Sequence, residues 1–223
     1  MLASDLPPGE KWRKFEIRAL GLRDFALLAR HQPLNPFDLA KFANLIVVSF
    51  DQIEGLSDSA REHLLGAGVD AWSGGACTLP NGAKLVILNP KHGRARTNAT
   101  LMEEICHVFL GHQPNRLTII GTDKRGRTVA RDYKKADEEA AYAIGAAALV
   151  PFSSLRRRVL QGKSSSEVAK HFRVSRQLVE YRLKVTHLWS LYKSANPEEQ
   201  GTSKPSDKPS PLRHRVRRSG TEN

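Results

Sequence analysis

Residues 100–112 read Thr-Leu-Met-Glu-Glu-Ile-Cys-His-Val-Phe-Leu-Gly-His. Read as a helix, this stretch sets Glu103 and His107 four positions apart, on one face and one turn from each other. Two such side chains can grip a single divalent ion. Glu104 projects about a quarter-turn away. His112 follows Gly111 and lies off that face. It reaches the same place only if the chain turns back, as a reserve ligand or as a donor to a transition state.

The spacing is that of the pattern HExxH, with Glu103 standing where the pattern has its first histidine. In that pattern the two histidines hold zinc, and the Glu after the first ligand takes the proton of the attacking water. Glu104 occupies that place. Zinc accepts carboxylate oxygen as well as imidazole nitrogen, so Glu103 is an admissible ligand, one that lowers the Lewis acidity of the ion relative to imidazole. A local reading competes. Thr100 and Glu103 also fit a capping box, with Thr100 as N-cap and Glu103 reaching back to its backbone. Glu104 is then a solvated first-turn carboxylate, and His107 a satisfied, partly buried histidine.

Residues 137–151 read Asp-Glu-Glu-Ala-Ala-Tyr-Ala-Ile-Gly-Ala-Ala-Ala-Leu-Val-Pro. Acids in the first turn, an alanine-rich body and a terminal proline predict a helix. Its small side chains allow close approach to the 100–110 helix. Glu138 or Glu139 then becomes available as a third ligand. The alternative is that these acids only complement the helix dipole.

The charge is uneven. The whole chain carries a formal +12, and residues 152–195 hold ten Lys or Arg against two Glu. Within that span, residues 166–183 have helix-turn-helix character. Ala169, Val174, Val179 and Leu183 suit inward positions, and Ser175 suits the N-cap of the second helix. Arg176, Gln177, Glu180 and Arg182 are expected outward on that helix, where Arg and Gln can read base edges. Arg173 occupies a turn position where Gly is usual. DNA binding, supported by the local charge, competes with docking on a protein surface. Residues 196–223 are rich in Pro, Ser, Lys and Arg and are expected to be a disordered basic tail.

Elsewhere, residues 9–31 are expected to be helical, broken near Gly21, with Trp12, Phe15, Phe25, Leu27 and Leu28 as core anchors. Leu45–Phe50 reads as a strand and Ser57–Leu65 as a helix closed by Gly66. Pro80-Asn-Gly predicts a hairpin turn, and such a hairpin can offer an edge for an extended substrate. Cys77 and Cys106 are too few for a disulfide framework. A reducing cytoplasm is the expected compartment. No apolar run is long enough to span a membrane, and the first residues carry no secretory pattern.

Taken together, the segments from about Pro36 to about Leu191 resemble the ImmA/IrrE family of metallopeptidases, and in the same order. Pro36–Ala43 and Leu45–Val48 stand first, followed by the hairpin Gly74–Pro90. Arg96 comes next, ahead of the helix with Glu103, Glu104 and His107. The acid-led helix ends at Leu149-Val-Pro151, and the helix-turn-helix-like segment closes the series. The resemblance implies an α+β, zincin-like fold with helices on a small, mostly antiparallel sheet, followed by that helical segment. It divides the chain into an N-terminal helical segment (1–35), a peptidase-like domain (36–151), a basic helical segment (152–195) and the tail (196–223). It implies Zn²⁺ or another divalent ion held by His107 and Glu138, with Glu103 in the first-ligand position. Glu104 becomes the general base. Glu139, His112 and Tyr142 are the alternative ligands or supports, with Tyr142 standing where relatives often have Asp or Asn. The implied partner is a DNA-binding repressor, cleaved or otherwise inactivated. The other expectation is a non-catalytic relative that binds DNA, through Arg176, Gln177 and Arg182, or binds a protein.

Overall fold

A computed structural model describes residues 5–55, 57–112 and 135–197. In chain order these form α1 (Glu10–Phe25), α2 (Pro36–Phe42), β1 (Leu45–Ser49), α3 (Asp58–Leu65), β2 (Gly74–Thr78), β3 (Lys84–Leu88) and α4 (Arg94–Phe109). Then come α5 (Lys135–Leu149), α6 (Phe152–Leu160), α7 (Ser165–Phe172), α8 (Arg176–Val185) and α9 (Trp189–Ala195). Helices beside one small sheet make this the α+β class expected. The tail from residue 198 onward lies outside the described residues.

The sheet has the order β1-β3-β2. The β2–β3 hairpin is antiparallel, with Gly82 at φ 84° in its turn. β1 instead pairs with β3 in parallel, Val47 opposite Val86. The expectation of a mostly antiparallel sheet is therefore corrected to a mixed one. The reason lies in the connection. Between β1 and β2 the chain passes through α3, so the hairpin returns with β3, not β2, beside β1. A parallel pair requires a crossover of this kind.

α1 runs unbroken through Gly21, where a Cβ would meet nothing within 4 Å. Of the anchors expected from the sequence, Phe15 and Leu28 are partly buried against the core. The structure buries Ala19, Leu20 and Leu22 there, together with Glu16 and Arg23, and leaves Phe25 and Leu27 exposed. Leu27 follows the helix end in a left-handed turn at φ 53°, which carries its side chain away from the core.

The centre of the molecule is α5, packed between α4 and α1. Its run of Ala141, Ala143, Ile144, Gly145, Ala146, Ala147 and Ala148 is buried. Small residues let the helices approach closely. A Cβ at Gly145 would stand 3.4 Å from Met102 Cγ and 3.5 Å from the Met102 carbonyl. Met102 immediately precedes Glu103, so this contact sets how far α5 lies from the motif.

The end of α5 leaves backbone carbonyls without helical partners, as every helix end does. Two buried arginines satisfy them. Arg23 from α1 donates to the Ala148 carbonyl at 2.7 Å, and Arg182 from α8 donates to that of Val150 at 3.1 Å. Glu16 accepts from the Phe152 backbone N–H at 2.7 Å, the first residue of α6, and pairs with Arg182.

α7 and α8 form the expected pair of short helices, capped by Ser164 and Ser175. Ala169, Val174, Val179 and Leu183 are buried as expected and belong to one hydrophobic cluster with residues of α1, α4 and α5. Arg173 takes the left-handed turn conformation at φ 57° without being glycine. Its carbonyl accepts from Asn98 Nδ2 of α4 at 3.1 Å, which holds the turn against the core.

Candidate metal centre

α4 begins at Arg94, two turns earlier than the capping-box reading requires. The reason is local. Gly93 is the N-cap, and the Arg96 guanidinium donates twice to Ser73 Oγ, at 2.8 and 3.2 Å, anchoring the first turn to the residue before β2. Thr100 is thus an interior residue of the helix. It cannot act as N-cap, and Glu103 has no capping duty. Glu103, Glu104 and His107 are instead all buried, at 8, 9 and 4% exposure.

Across from them, α5 presents Glu138. His107 Nε2 and Glu138 Oε1 are 3.7 Å apart. Two donors each about 2.1 Å from a tetrahedral ion stand roughly 3.4 Å from one another, so this spacing suits a shared ion. One donor atom each from Glu103, His107 and Glu138 lies within 4.8 Å of the others. Glu139, the other acid weighed as third ligand, points elsewhere. Its carboxylate is 2.5 Å from Lys11 Nζ of α1, with both side chains half-exposed.

The electrostatics make the same point. Burial pushes the Glu103 carboxyl well above the usual carboxylate range, and the neighbouring carboxylates of Glu138 and Glu104 push it further. A buried cluster of like charges is costly unless a cation or protons offset it. The donor set therefore fits a divalent ion with three protein ligands.

The surrounding wall comes from three helices. Tyr142, one turn along α5 from Glu138, stacks edge-on with Tyr181 of α8, ring centroids 5.0 Å apart. Burial first, then Tyr181 and the Glu103 charge, push the Tyr142 hydroxyl up. It stays neutral beside the carboxylates. Tyr181 was not visible as a site residue in the sequence, where only its place on a short amphipathic helix was legible. Cys106 is fully buried, burial together with the Glu103 charge pushes its thiol up, and it is not one of the three converging donors. At the end of α4 the chain does turn back. His112 Nδ1 lies 3.1 Å from His107 Nδ1, and Asp137 Oδ1 lies 3.7 Å from His112 Nε2.

The residues weighed for nucleic acid separate. Arg176 and Gln177 are exposed, with Arg176 Nε donating to Glu180 at 2.8 Å. Arg182 is 1% exposed and corrects the expectation of an outward base reader. Its guanidinium is drawn inward by Glu16 and the Val150 carbonyl, an arrangement that needs the fold of residues far apart in sequence.

Among the described residues no helix is long and apolar enough to cross a membrane. No curated protein sequence matches the chain. Among solved structures, a Mycobacterium tuberculosis transcriptional regulator is similar at TM-score 0.47 and 13% identity, over 76% of this chain. This chain spans only 46% of that one. The model of the peptidase M78 family, the IrrE N-terminal-like domain, matches residues 62–184, more than half of the chain and the whole of the site, and the chain belongs to that family.

Proposed function

We propose that the chain is a metal-dependent endopeptidase in which Glu103, His107 and Glu138 hold one divalent ion and Glu104 is the general base. The observation that carries this reading is the convergence of three donors within 4.8 Å, on two helices, where Glu103 is buried and has no capping role. Zinc is the proposed ion. When bound, it would polarise a peptide carbonyl and acidify a water within reach.

The chain's own residues supply the rest. α4 fixes Glu103, Glu104 and His107 on one rigid element, and the close α4–α5 contact at Gly145 fixes Glu138 opposite them. Glu104 takes a proton from the attacking water and returns it to the leaving amine. The neutral Tyr142–Tyr181 pair and the buried helix faces keep the surroundings low in dielectric, which strengthens each charge interaction. The proposed substrate is a transcriptional regulator in the cytoplasm, which cleavage inactivates. That part rests on family membership and not on the site.

A second, non-catalytic reading gives the basic C-terminal third a DNA-binding role. The exposure of Arg176 and Gln177 at the start of α8 favours it. Metal content of the full-length protein separates the two. The peptidase reading expects about one ion per chain, lost in Glu103→Ala and in His107→Ala. No stoichiometric metal after zinc is added back would overturn it.

A further inference from the structure

We propose that His112 is a positioning residue for His107, held in place by the turn that ends α4, so that His107 offers Nε2 to the ion in one tautomer and one ring orientation. The proposal rests on the metal reading above and adds a residue and a role to it.

The turn is built by the sequence. Leu110 is the C-cap, and Gly111 adopts the left-handed conformation at φ 67°. The Gly111 N–H donates to the Val108 carbonyl at 3.1 Å, and the His112 N–H donates to that of His107 at 3.0 Å. This pair of bonds is the Schellman motif. The motif brings the residue after the glycine back against the third residue from the helix end, a meeting usually made by two apolar side chains. Here both are histidines. Their rings lie 5.1 Å apart, and their Nδ1 atoms 3.1 Å apart.

Two nitrogens at that distance share one proton, so one ring donates and the other accepts. Two observations fix which. Nε2 of His107 is the atom that faces Glu138 and the one the metal reading gives to the ion, so with an ion bound His107 carries its proton on Nδ1. Nε2 of His112 faces the Asp137 carboxylate at 3.7 Å, which favours a proton on that nitrogen and leaves Nδ1 as acceptor. The two neutral tautomers then fit end to end. A partner of this kind orients a ligating imidazole and raises its basicity, and removing it costs 10–100-fold in metal affinity, as an order of magnitude.

The test uses the full-length protein in four forms: wild type, His112→Phe, His112→Asn and His107→Ala. Cobalt(II) affinity is measured by titration, and the His107 Nδ1–H of the zinc-loaded protein is followed by ¹⁵N NMR. The Asn side-chain oxygen can stand close to the place of Nδ1, whereas Phe keeps the ring without an acceptor. The expected result in wild type is a His107 Nδ1–H that is hydrogen-bonded and slow to exchange with solvent. His112→Phe binds cobalt about 10–100-fold more weakly and leaves the His107 Nδ1–H exchanging faster with solvent, while His112→Asn stays near wild type. Wild-type affinity in His112→Phe, or equal loss in both variants, would overturn the positioning role and leave the metal site standing. A wild-type protein that binds no cobalt would overturn both.

Discussion

Glu16 of α1 and Arg182 of α8 stand 166 positions apart in the chain and form an ion pair in the core, each side chain 1% exposed. Each also satisfies a backbone group at the α5–α6 junction. Removing one partner of such a pair strands the other charge and costs about 3–5 kcal/mol. Arg182→Met should therefore lower unfolding free energy by about that amount, read by denaturant titration. Arg182→Met combined with Glu16→Leu should lose less than the sum of the two singles, because no charge is left stranded. It should not recover fully, since the Phe152 N–H and Val150 carbonyl lose their partners, at about 1–3 kcal/mol for each unsatisfied group. Additive losses would show that the two residues act independently.

That pair also marks what the sequence could and could not reveal. The element boundaries around the site were largely legible, because they rest on local chemistry. Ser57 and Ser175 open helices, Pro80-Asn-Gly makes a turn, and first-turn acids, an alanine-rich body and Pro151 mark α5, whereas the start of α4 at Arg94 carried no such signal. Glu103, His107 and Glu138 were legible too, since helical spacing and family order bring them forward. What was hidden depends on contacts between remote segments. Nothing near Arg182 announces that its partner is Glu16, and an Arg on a short basic helix reads by default as exposed. The parallel pairing of β1 with β3 and the approach of Tyr181 to Tyr142 are hidden for the same reason. Lys11 is likewise what distinguishes Glu139 from Glu138, and it belongs to a helix more than a hundred residues earlier.

The buried Glu103 carboxyl makes the metal-free protein pH-sensitive. Its folded pKa is raised by burial, then by Glu138 and Glu104, above its value in the unfolded chain. As pH rises past the unfolded value, the unfolded chain releases its proton first, so it binds fewer protons than the folded one. Stability then falls with rising pH until the folded value is reached. Glu103→Gln should remove this dependence. In the metal-free state at neutral pH its melting temperature should exceed that of wild type. With zinc present the order should reverse, because the variant lacks the charged ligand. Thermal melts at several pH values, with and without chelator, check both arms. A melting temperature for the metal-free variant that is below wild type at neutral pH would contradict the assigned cost of burying the Glu103 charge.

Glu104 is assigned to proton transfer and not to ion binding. Glu104→Gln keeps the size and removes the base. A positioned general base contributes about 10²–10⁴-fold to rate. The variant should lose that much in peptide cleavage while keeping its zinc stoichiometry, measured on the same preparation. Loss of zinc in parallel with activity would move Glu104 into the ligand set. Unchanged cleavage would remove it from the mechanism.

Gly145 controls the spacing of the two helices that carry the donors. A methyl group there meets Met102 at ordinary contact distance, 3.4–3.5 Å, so Gly145→Ala is accommodated and gains helix propensity, about 1 kcal/mol. Gly145→Val adds two branches to a Cβ that already touches Met102. Overpacking of this kind costs about 1–3 kcal/mol. The strain is relieved most simply by α5 moving outward. Glu138 moves with it, away from Glu103 and His107. The expected signature is a divergence between two measurements. Melting temperature should rise slightly for the Ala variant and fall for Val, while cobalt affinity should hold for Ala and fall for Val at temperatures where both are fully folded. If Val weakens stability without touching cobalt affinity, the α4–α5 distance is not what sets the site.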